Sequence, residues 1–505
     1  MFEYLLTGLA TAMSLSVLPI IFFGVLGGII LGALPGLTAT MGVAILLPFT
    51  FGMEATPALV MLIGVYIGGI YGGSISAILL KTPGTPASAA TVLDGHPMAV
   101  RGQAARALSI AAVASFVGGL LSTIVLIAVA PKLATFALRF NAPEYFALAL
   151  FGLTIIASVS AKNIFKGLLA GTIGLLVCTV GLDPISSVPR FTFGIMDLYS
   201  GISVIPVLIG LFALSEGLNQ LEKILSEKIV TPPKFDRKLL SKADLKELLP
   251  TAIKSGLMGT TIGSIPGAGA DISAFVCYNE AKRSAKNPEE FGNGSVRGLA
   301  AAESGNNGVT GGSLVPLLTL GVPGDAVSAV LLGALIVQGL TPGPLLFAQN
   351  PEVVYGVFSA MLVANVVMLA IGIFGIRFFC RIIEVPKIIM IPMIIFLSII
   401  GAYAINNSMF DVGIAIVFGL AGFVFNKLEI PSSPILLAVI LGPMAETNLR
   451  KSLLMYEGSW SFLYERPIAL AFILLAVFSV YSTMKMKKKQ ALQEKEQAEK
   501  DAKSS

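Results

Sequence analysis

Charge is missing from long stretches of this chain. No Asp, Glu, Lys or Arg falls between Glu3 and Glu54, between Arg106 and Lys132, between Glu303 and Asp325, or between Arg466 and Lys485. A helix needs about 20 mostly apolar residues to cross the hydrocarbon core of a bilayer, and several of these stretches reach that length. Only 12% of the 505 residues are charged and 55% are hydrophobic, whereas soluble domains carry about 25% charged residues. Lipid offers no partner to a free backbone N–H or C=O, so helices are the expected spanning element. The sequence therefore predicts an all-α polytopic membrane protein with about 10–13 transmembrane segments.

The remaining charges set the topology. Fifteen of the 34 Lys and Arg lie within residues 219–254 or in the tail from Lys485 onward. Acidic residues are interspersed in both places, which argues for solvated segments and against a nucleic-acid surface. Basic segments beside membrane helices stay in the cytoplasm, so the linker and the C-terminus are placed inside. The start, MFEYLLTGL, has no basic n-region, and a cleaved signal peptide is not expected. An outer N-terminus would then require an odd number of crossings. The expected organisation is a first transmembrane half at 1–218, a charged cytoplasmic linker at 219–250, a second half at 251–484 and a charged cytoplasmic tail at 485–505.

Two segments, Gly32–Gln103 and Gly263–Phe347, combine apolar character with many Gly, Pro, Ser and Thr. Pro and Gly break helices and leave backbone groups unpaired, so such segments must face protein or a watery cavity. They also match each other. Gly32-Ala-Leu-Pro35-Gly36 corresponds to Gly263-Ser-Ile-Pro266-Gly267. Gly72-Gly73-Ser74, then Pro83-Gly84-Thr85, corresponds to Gly311-Gly312-Ser313, then Pro323-Gly324-Asp325. Two blocks in one order at nearly one period predict two repeated halves with broken helices or helical hairpins, and inverted repeats are expected. Discontinuous helices in matching positions point to the binding site of a secondary transporter.

The chemistry of these blocks suits a carboxylate. A helix that starts in the membrane presents free N–H groups and a partial positive charge. The expected substrate-binding residues are Pro35, Gly36, Thr38, Gly73, Ser74, Pro83, Gly84 and Thr85 in the first half. In the second they are Pro266, Gly267, Asn306, Asn307, Gly312, Ser313, Pro323 and Gly324. Isolated glycines such as Gly167 and Gly413 are read as packing residues. Charges inside a membrane are costly and functional, which nominates Lys81, Asp271, Glu303 and Asp325 for ion coupling. Lys81 and Asp325 flank the matching Pro-Gly pairs, and that asymmetry is where coupling is expected.

Enzyme chemistry finds no foothold. The sequence has no GxxxxGK[ST] phosphate loop, no HExxH and no CxxC. One histidine, His96, is poor material for a hydrolytic triad. Cys178, Cys277 and Cys380 are far apart and beside apolar runs, and are read as buried small hydrophobes. No catalytic residue and no cofactor is expected.

The blocks GALPGLTATMGVAILLPFTFGM, YGGSISAILLKTPGTPASAATVLDGHPMAVRGQAARAL, GSIPGAGADISAFVCYNEAKR and GNNGVTGGSLVPLLTLGVPGDAVSAVLLGALIVQGLTPGPLLF resemble the large membrane subunit of the tripartite tricarboxylate transporters, the TctA family. The likeness runs from about Gly32 through the Pro342-Gly343-Pro344 block and more loosely beyond. It implies a bacterial inner-membrane carrier for a small carboxylate. It further implies a small membrane subunit of about four helices, a periplasmic binding protein and an ion gradient in place of ATP, with sodium as one coupling ion whose ligands the resemblance does not name. The chain departs from the family around Ala302-Glu303-Ser304-Gly305-Asn306-Asn307, where a proline and an alanine are usual. It departs again at Lys81, where Asn is common, and at Asp325, where Ser or Ala is frequent. Two alternatives stand beside this reading: a stand-alone carboxylate carrier and a channel. A homodimer is expected by analogy with inverted-repeat carriers.

Overall fold

The computed structural model describes residues 2–34, 36–159, 164–223, 239–267, 269–376, 378–379, 387–478 and 480–481. Pro35, Cys380, residues 224–238 of the charged linker and the whole basic tail lie outside the described residues. The regular structure of the described residues is helical, apart from one short antiparallel ribbon pairing Gly181 with Arg190 and Leu182 with Pro189.

In chain order the helices are α1 (Phe2–Ala12), α2 (Leu18–Ala33), α3 (Ala39–Leu46), α4 (Ala55–Leu80), α5 (Thr91–Val100), α6 (Ala104–Ala137), α7 (Ala142–Val159) and α8 (Ile164–Cys178). After the ribbon come α9 (Val204–Leu208), a wide π turn (Ile209–Leu214), α10 (Ser215–Lys223), α11 (Lys242–Gly263), α12 (Gly269–Arg283) and α13 (Val296–Leu320). Then follow α14 (Ala326–Val337), α15 (Pro344–Gln349), α16 (Pro351–Phe374), α17 (Lys387–Asn406), α18 (Met409–Lys427) and α19 (Ser432–Met455). Two more follow among the described residues, α20 (Phe462–Glu465) and α21 (Pro467–Phe478).

Five stretches among the described residues are long and apolar enough to cross a membrane: Ala55–Leu80, Ala104–Ala137, Val204–Glu222, Pro351–Phe374 and Met409–Lys427. Shorter apolar helices, including Leu18–Ala33, Ala39–Thr50 and Ala326–Val337, accompany them.

Two compact units emerge, and each draws on both halves of the sequence. One contains residues 139–202 and 425–505. In its described part α19 packs on α7 and α8, with Gly174 against the Ile435 carbonyl. Glu144, almost wholly buried, accepts from Arg466 Nε at 2.8 Å and Nη2 at 3.2 Å. Asp183 accepts from the backbone N–H of Ile185 and Ser186 and from Arg450. These bonds hold its carboxyl far below the usual carboxylate range, the backbone N–H of Ser186 contributing most.

The other unit, residues 1–138 and 203–424, holds both Gly/Pro-broken segments. Its core is built from glycine seams. A Cβ on Gly24, Gly28 or Gly32 of α2 would collide with the carbonyl of Met61, Val65 or Gly69 on α4. Reciprocally, Gly68 and Gly72 receive the carbonyls of Val25 and Ile29. Small residues allow helix backbones to touch, which is how packing is gained where lipid removes the hydrophobic drive. The residue numbers rise together, so α2 and α4 run parallel. Between them α3 turns back, setting Ala39 against Gly69 and Gly42 against Val65.

The second half repeats this pattern in register. Gly259 meets the Gly305 carbonyl, Gly263 meets Val309, and Gly308 and Gly312 receive the carbonyls of Gly256 and Thr260. Gly259 stands 231 residues after Gly28, and Gly305 stands 240 after Val65; the same two offsets convert each of the other three pairs. The return helix α12 lies antiparallel to α13, with Ser273 donating to the Gly305 carbonyl at 2.7 Å and Tyr278 against Gly298. Directions follow from further registers. α6 runs with α13 (Ser115 by Glu303, Ser122 by Gly311), α16 runs with α4, and α6 opposes α16 (Ala112 by Gly372, Gly119 by Asn365). Chained together, they set α4 and α13 in opposite senses.

Candidate functional site

The breaks after α4 and α13 have the same local design. α4 ends at Lys81, left-handed at φ 60, and α13 ends at Gly321, left-handed at φ 71. Four residues on, each chain turns on a cap. The Thr85 N–H donates to Ser88 Oγ at 3.4 Å, one half of a capping box, and Asp325 forms a complete box with Ser328. In the second box the Ser328 N–H donates to Asp325 Oδ1 at 2.8 Å, and the Asp325 N–H donates to Ser328 Oγ at 2.8 Å. The glycine preceding each cap is wedged under the neighbouring break. A Cβ on Gly84 would strike the Gly32 carbonyl, and one on Gly324 would fall 2.6 Å from the Gly263 carbonyl.

This register revises the pairing suggested by the sequence. Lys81 and Asp325 are not counterparts: Lys81 answers to Gly321, and Asp325 answers to Thr85. The N-terminus of α14 is also already occupied by a carboxylate, that of Asp325 itself. The equivalent Thr85 hydroxyl is buried and has no hydrogen-bond partner.

Each long helix reaches across to the opposite break. Tyr66 on α4 donates to Asp325 Oδ2 at 2.6 Å and contacts Ser313 Oγ at 3.1 Å. Asn306 on α13, which stands 240 residues after Tyr66, donates from Nδ2 to the Ala87 carbonyl at 3.0 Å. The two reaches are related by the same offset as the glycine seams.

The polar content is uneven. α13 carries Glu303, Ser304, Asn306, Asn307, Thr310 and Ser313, all fully buried. The α4 positions 240 residues earlier are Ile63, Gly64, Tyr66, Ile67, Ile70 and Gly73. Glu303 accepts from the Thr91 hydroxyl on one oxygen and from Ser115 Oγ at 2.9 Å on the other. Asn307 Nδ2 donates to Asn306 Oδ1 at 2.8 Å and to the Glu303 carbonyl at 3.1 Å, while its Oδ1 is buried without a partner.

The other residues expected from the sequence have varied surroundings. Gly36 is left-handed at φ 93, with the Gln220 side chain laid over its Cα. Thr38 caps α3 by accepting from the Met41 N–H at 3.1 Å. Gly73 lies under Thr85 and Ser88, and its carbonyl accepts from the Gly84 N–H. Ser74 turns away to its own helix, donating to the Tyr71 carbonyl. Pro83 and Pro323 stand in the two breaks after α4 and α13. Gly267, beside Pro266, donates its N–H to the Gly324 carbonyl at 2.7 Å and ties the two breaks of the second half together. Gly312 belongs to the seam. Lys81 and Asp271 are exposed, the latter in the first turn of α12.

Sequence reasoning did not single out Tyr66, Thr91, Ser115 or Gln220. A tyrosine in a charge-free helix brings a polar tip that must find a partner when buried, and that signal was available for Tyr66. The Glu303 hydroxyl partners lie 212 and 188 residues away and carry no local signature.

Residues 18–437 match the sequence profile described as the Tripartite tricarboxylate transporter TctA family. An uncharacterised 52.8 kDa protein in the TAR-I ttuC' 3' region of Agrobacterium vitis is 38% identical over 456 residues, covering 90% of each chain. An uncharacterised protein in the TAR-II ttuC' 3' region of the same organism is 35% identical over 222 residues, 44% of this chain and 92% of its own. No solved structure matches. With the profile spanning most of its length and its broken helices paired in register, this multi-pass membrane protein belongs to the TctA family of the tripartite tricarboxylate transporters.

Proposed function

We propose that this chain is the large, transport-bearing membrane subunit of a secondary carrier that imports a small tricarboxylate-like anion across the bacterial inner membrane. A periplasmic binding protein delivers the substrate, a small membrane subunit of about four helices completes the carrier, and a sodium or proton gradient drives uptake. The linker and C-terminus face the cytoplasm, following their Lys/Arg excess. No enzymatic activity is assigned.

One observation carries this reading. Two parallel helix pairs, α2/α4 and α11/α13, share one register, run in opposite senses and each end in a Pro-Gly break beside buried polar groups. We take them as inverted repeats, the architecture in which secondary carriers hold substrate at the junction of broken helices. The substrate carboxylates are best placed against the Thr85 break. There the hydroxyl is free to donate, while the equivalent place at the second break is filled by Asp325.

The test is uptake of labelled citrate and smaller carboxylates by proteoliposomes containing the membrane subunits, with binding protein added outside. Saturable counterflow and dependence on binding protein and on an imposed sodium or proton gradient are expected. Ohmic conductance would identify a channel, and full uptake by this chain alone would identify a stand-alone carrier.

A further inference from the structure

Glu303 is the one carboxylate of α13, at the edge of the charge-free stretch, and it is wholly buried. A carboxylate taken out of water is costly unless a cation or proton compensates it. Among the described residues, no ion pair involves Glu303. The titratable groups on every helix packed around it are engaged elsewhere or remote. Asp94 of α5 accepts three backbone N–H groups, from Gly292, Gly294 and Ser295, and His96 of the same helix bonds through Nδ1 to the Ile78 carbonyl at 3.0 Å. Arg106 of α6 pairs with Asp244, Lys254 of α11 pairs with Glu280, and Arg297 of α13 pairs with Glu247. Cys277 and Tyr278 of α12 turn to the Ser255 carbonyl and to the ring of Phe291. Tyr66 of α4 is bound to Asp325, and Tyr71 to the Gly372 carbonyl.

Two features select a proton over a metal ion as the compensating charge. Sodium sites in carriers draw on carbonyls freed where a helix unwinds, and hard cations gather several oxygens. At Glu303, α13 and α6 both pass without a break, so their carbonyls are spent on their own helices, and in the break before Thr91 the Thr85, Pro86 and Ala87 carbonyls accept from Ser88, Ala89 and Asn306. The partners are instead two hydroxyls, one on each carboxyl oxygen, with the Asn306 amide beside them. A hydroxyl donates to a carboxylate and accepts from a carboxylic acid by turning its O–H bond. Thr91 and Ser115 therefore serve both protonation states without moving a heavy atom.

We infer that Glu303 is a proton-carrying carboxyl of the transport cycle, caged by Thr91 and Ser115. This rests on the carrier reading above. The link to substrate is short. Asn306 and Asn307, one turn along α13, join the Glu303 backbone carbonyl to the Ala87 carbonyl in the break that bears Thr85.

The experiment has two arms on the reconstituted membrane complex. Infrared spectroscopy in sodium-free buffer reads the C=O band of a protonated buried carboxyl, and labelled citrate reads transport. The band is expected in wild type, shifted in Thr91→Val and in Ser115→Ala, and lost in Glu303→Gln. Glu303→Gln, which mimics the protonated acid, is expected to keep citrate counterflow but to lose accumulation driven by a pH gradient. Absence of the band at every pH the complex tolerates overturns the inference. So does its disappearance on adding sodium at fixed pH, or pH-driven accumulation persisting in Glu303→Gln. If Glu303→Gln does not assemble, the wild-type band and its shifts in the hydroxyl variants still decide. A band that behaves as expected in a complex showing neither counterflow nor uptake for any carboxylate leaves the proton site standing and refutes the carrier.

Discussion

The hydroxyl of Tyr66 donates to Asp325 Oδ2 at 2.6 Å, joining α4 of the first half to the cap of α14 in the second. Asp325 also accepts the Ser328 N–H through its other oxygen, so both carboxylate oxygens are committed. Tyr66→Phe leaves a buried acceptor without its donor, which costs about 1–3 kcal/mol. Thermal unfolding of the purified complex is expected to report that loss. Asp325→Ala removes the cap and costs about 1 kcal/mol more, whereas Asp325→Thr, whose hydroxyl can accept the Ser328 N–H, is expected to recover most of the cap but not the tyrosine bond. Equal stability of Tyr66→Phe and wild type would show the bond to be idle.

Gly84 and Gly324 admit no side chain. A methyl at Gly324 would sit 2.6 Å from both the Gly263 carbonyl and the Ser313 Cα, neither of which can rotate away. Gly84→Ala and Gly324→Ala are each expected to destabilise by about 1–3 kcal/mol, as overpacking does, and to abolish citrate uptake. Gly413, inside α18, has open space where its Cβ would be. Gly413→Ala is the control, expected to stabilise by about 0.5–1 kcal/mol through helix propensity, with uptake unchanged.

Lys81 holds a left-handed conformation that its counterpart Gly321 adopts without cost. Lys81→Gly is expected to stabilise by about 1 kcal/mol. If the exposed ammonium attracts the anionic substrate to the first break, the same change raises the KM for citrate. Strain retained for function predicts these opposite movements. A rise in Tm with an unaltered KM would remove Lys81 from the substrate path and from ion coupling.

At the charged start of α11, among Lys242, Lys246 and Glu247, the Arg106 guanidinium holds the Asp244 carboxyl down at about 2. The unfolded chain would titrate it near 3.9. The folded value is the lower one, so the pair's stabilisation is full above about pH 4 and is lost as the pH falls towards 2. Asp244→Asn is expected to cost about 2 kcal/mol at neutral pH. The Tm difference from wild type should shrink as the pH is lowered through that window; a constant gap would mean that the aspartate acts through packing or capping alone.

Much of the fold could be read from residue order. Charge-free stretches announced a helical membrane protein because the cost of burying charge in lipid is large and independent of neighbours. The Pro-Gly blocks announced the breaks because Gly36 and Gly267 take backbone conformations that few other residues tolerate. Register was harder. The sequence set Ser74 beside Ser313, whereas the seams set Gly73 there, since a one-residue slip is invisible in a run of small residues but not in carbonyl contacts. Thr91 and Ser115 were illegible, because a lone hydroxyl on an apolar helix gains meaning only from the carboxylate opposite. Lys81 read as an intramembrane charge on sequence spacing, and the structure adds that its side chain is exposed.

The glycine seams have a mechanical meaning. Where carbonyl rests against Cα with no side chain between, there is nothing to repack, so α2 with α4, and α11 with α13, behave as welded rods. Compliance must then concentrate where side chains bridge the rods. Among the described residues, two such bridges are Tyr66 to Asp325 and Asn306 to Ala87. They are the rivets at which such a frame would flex.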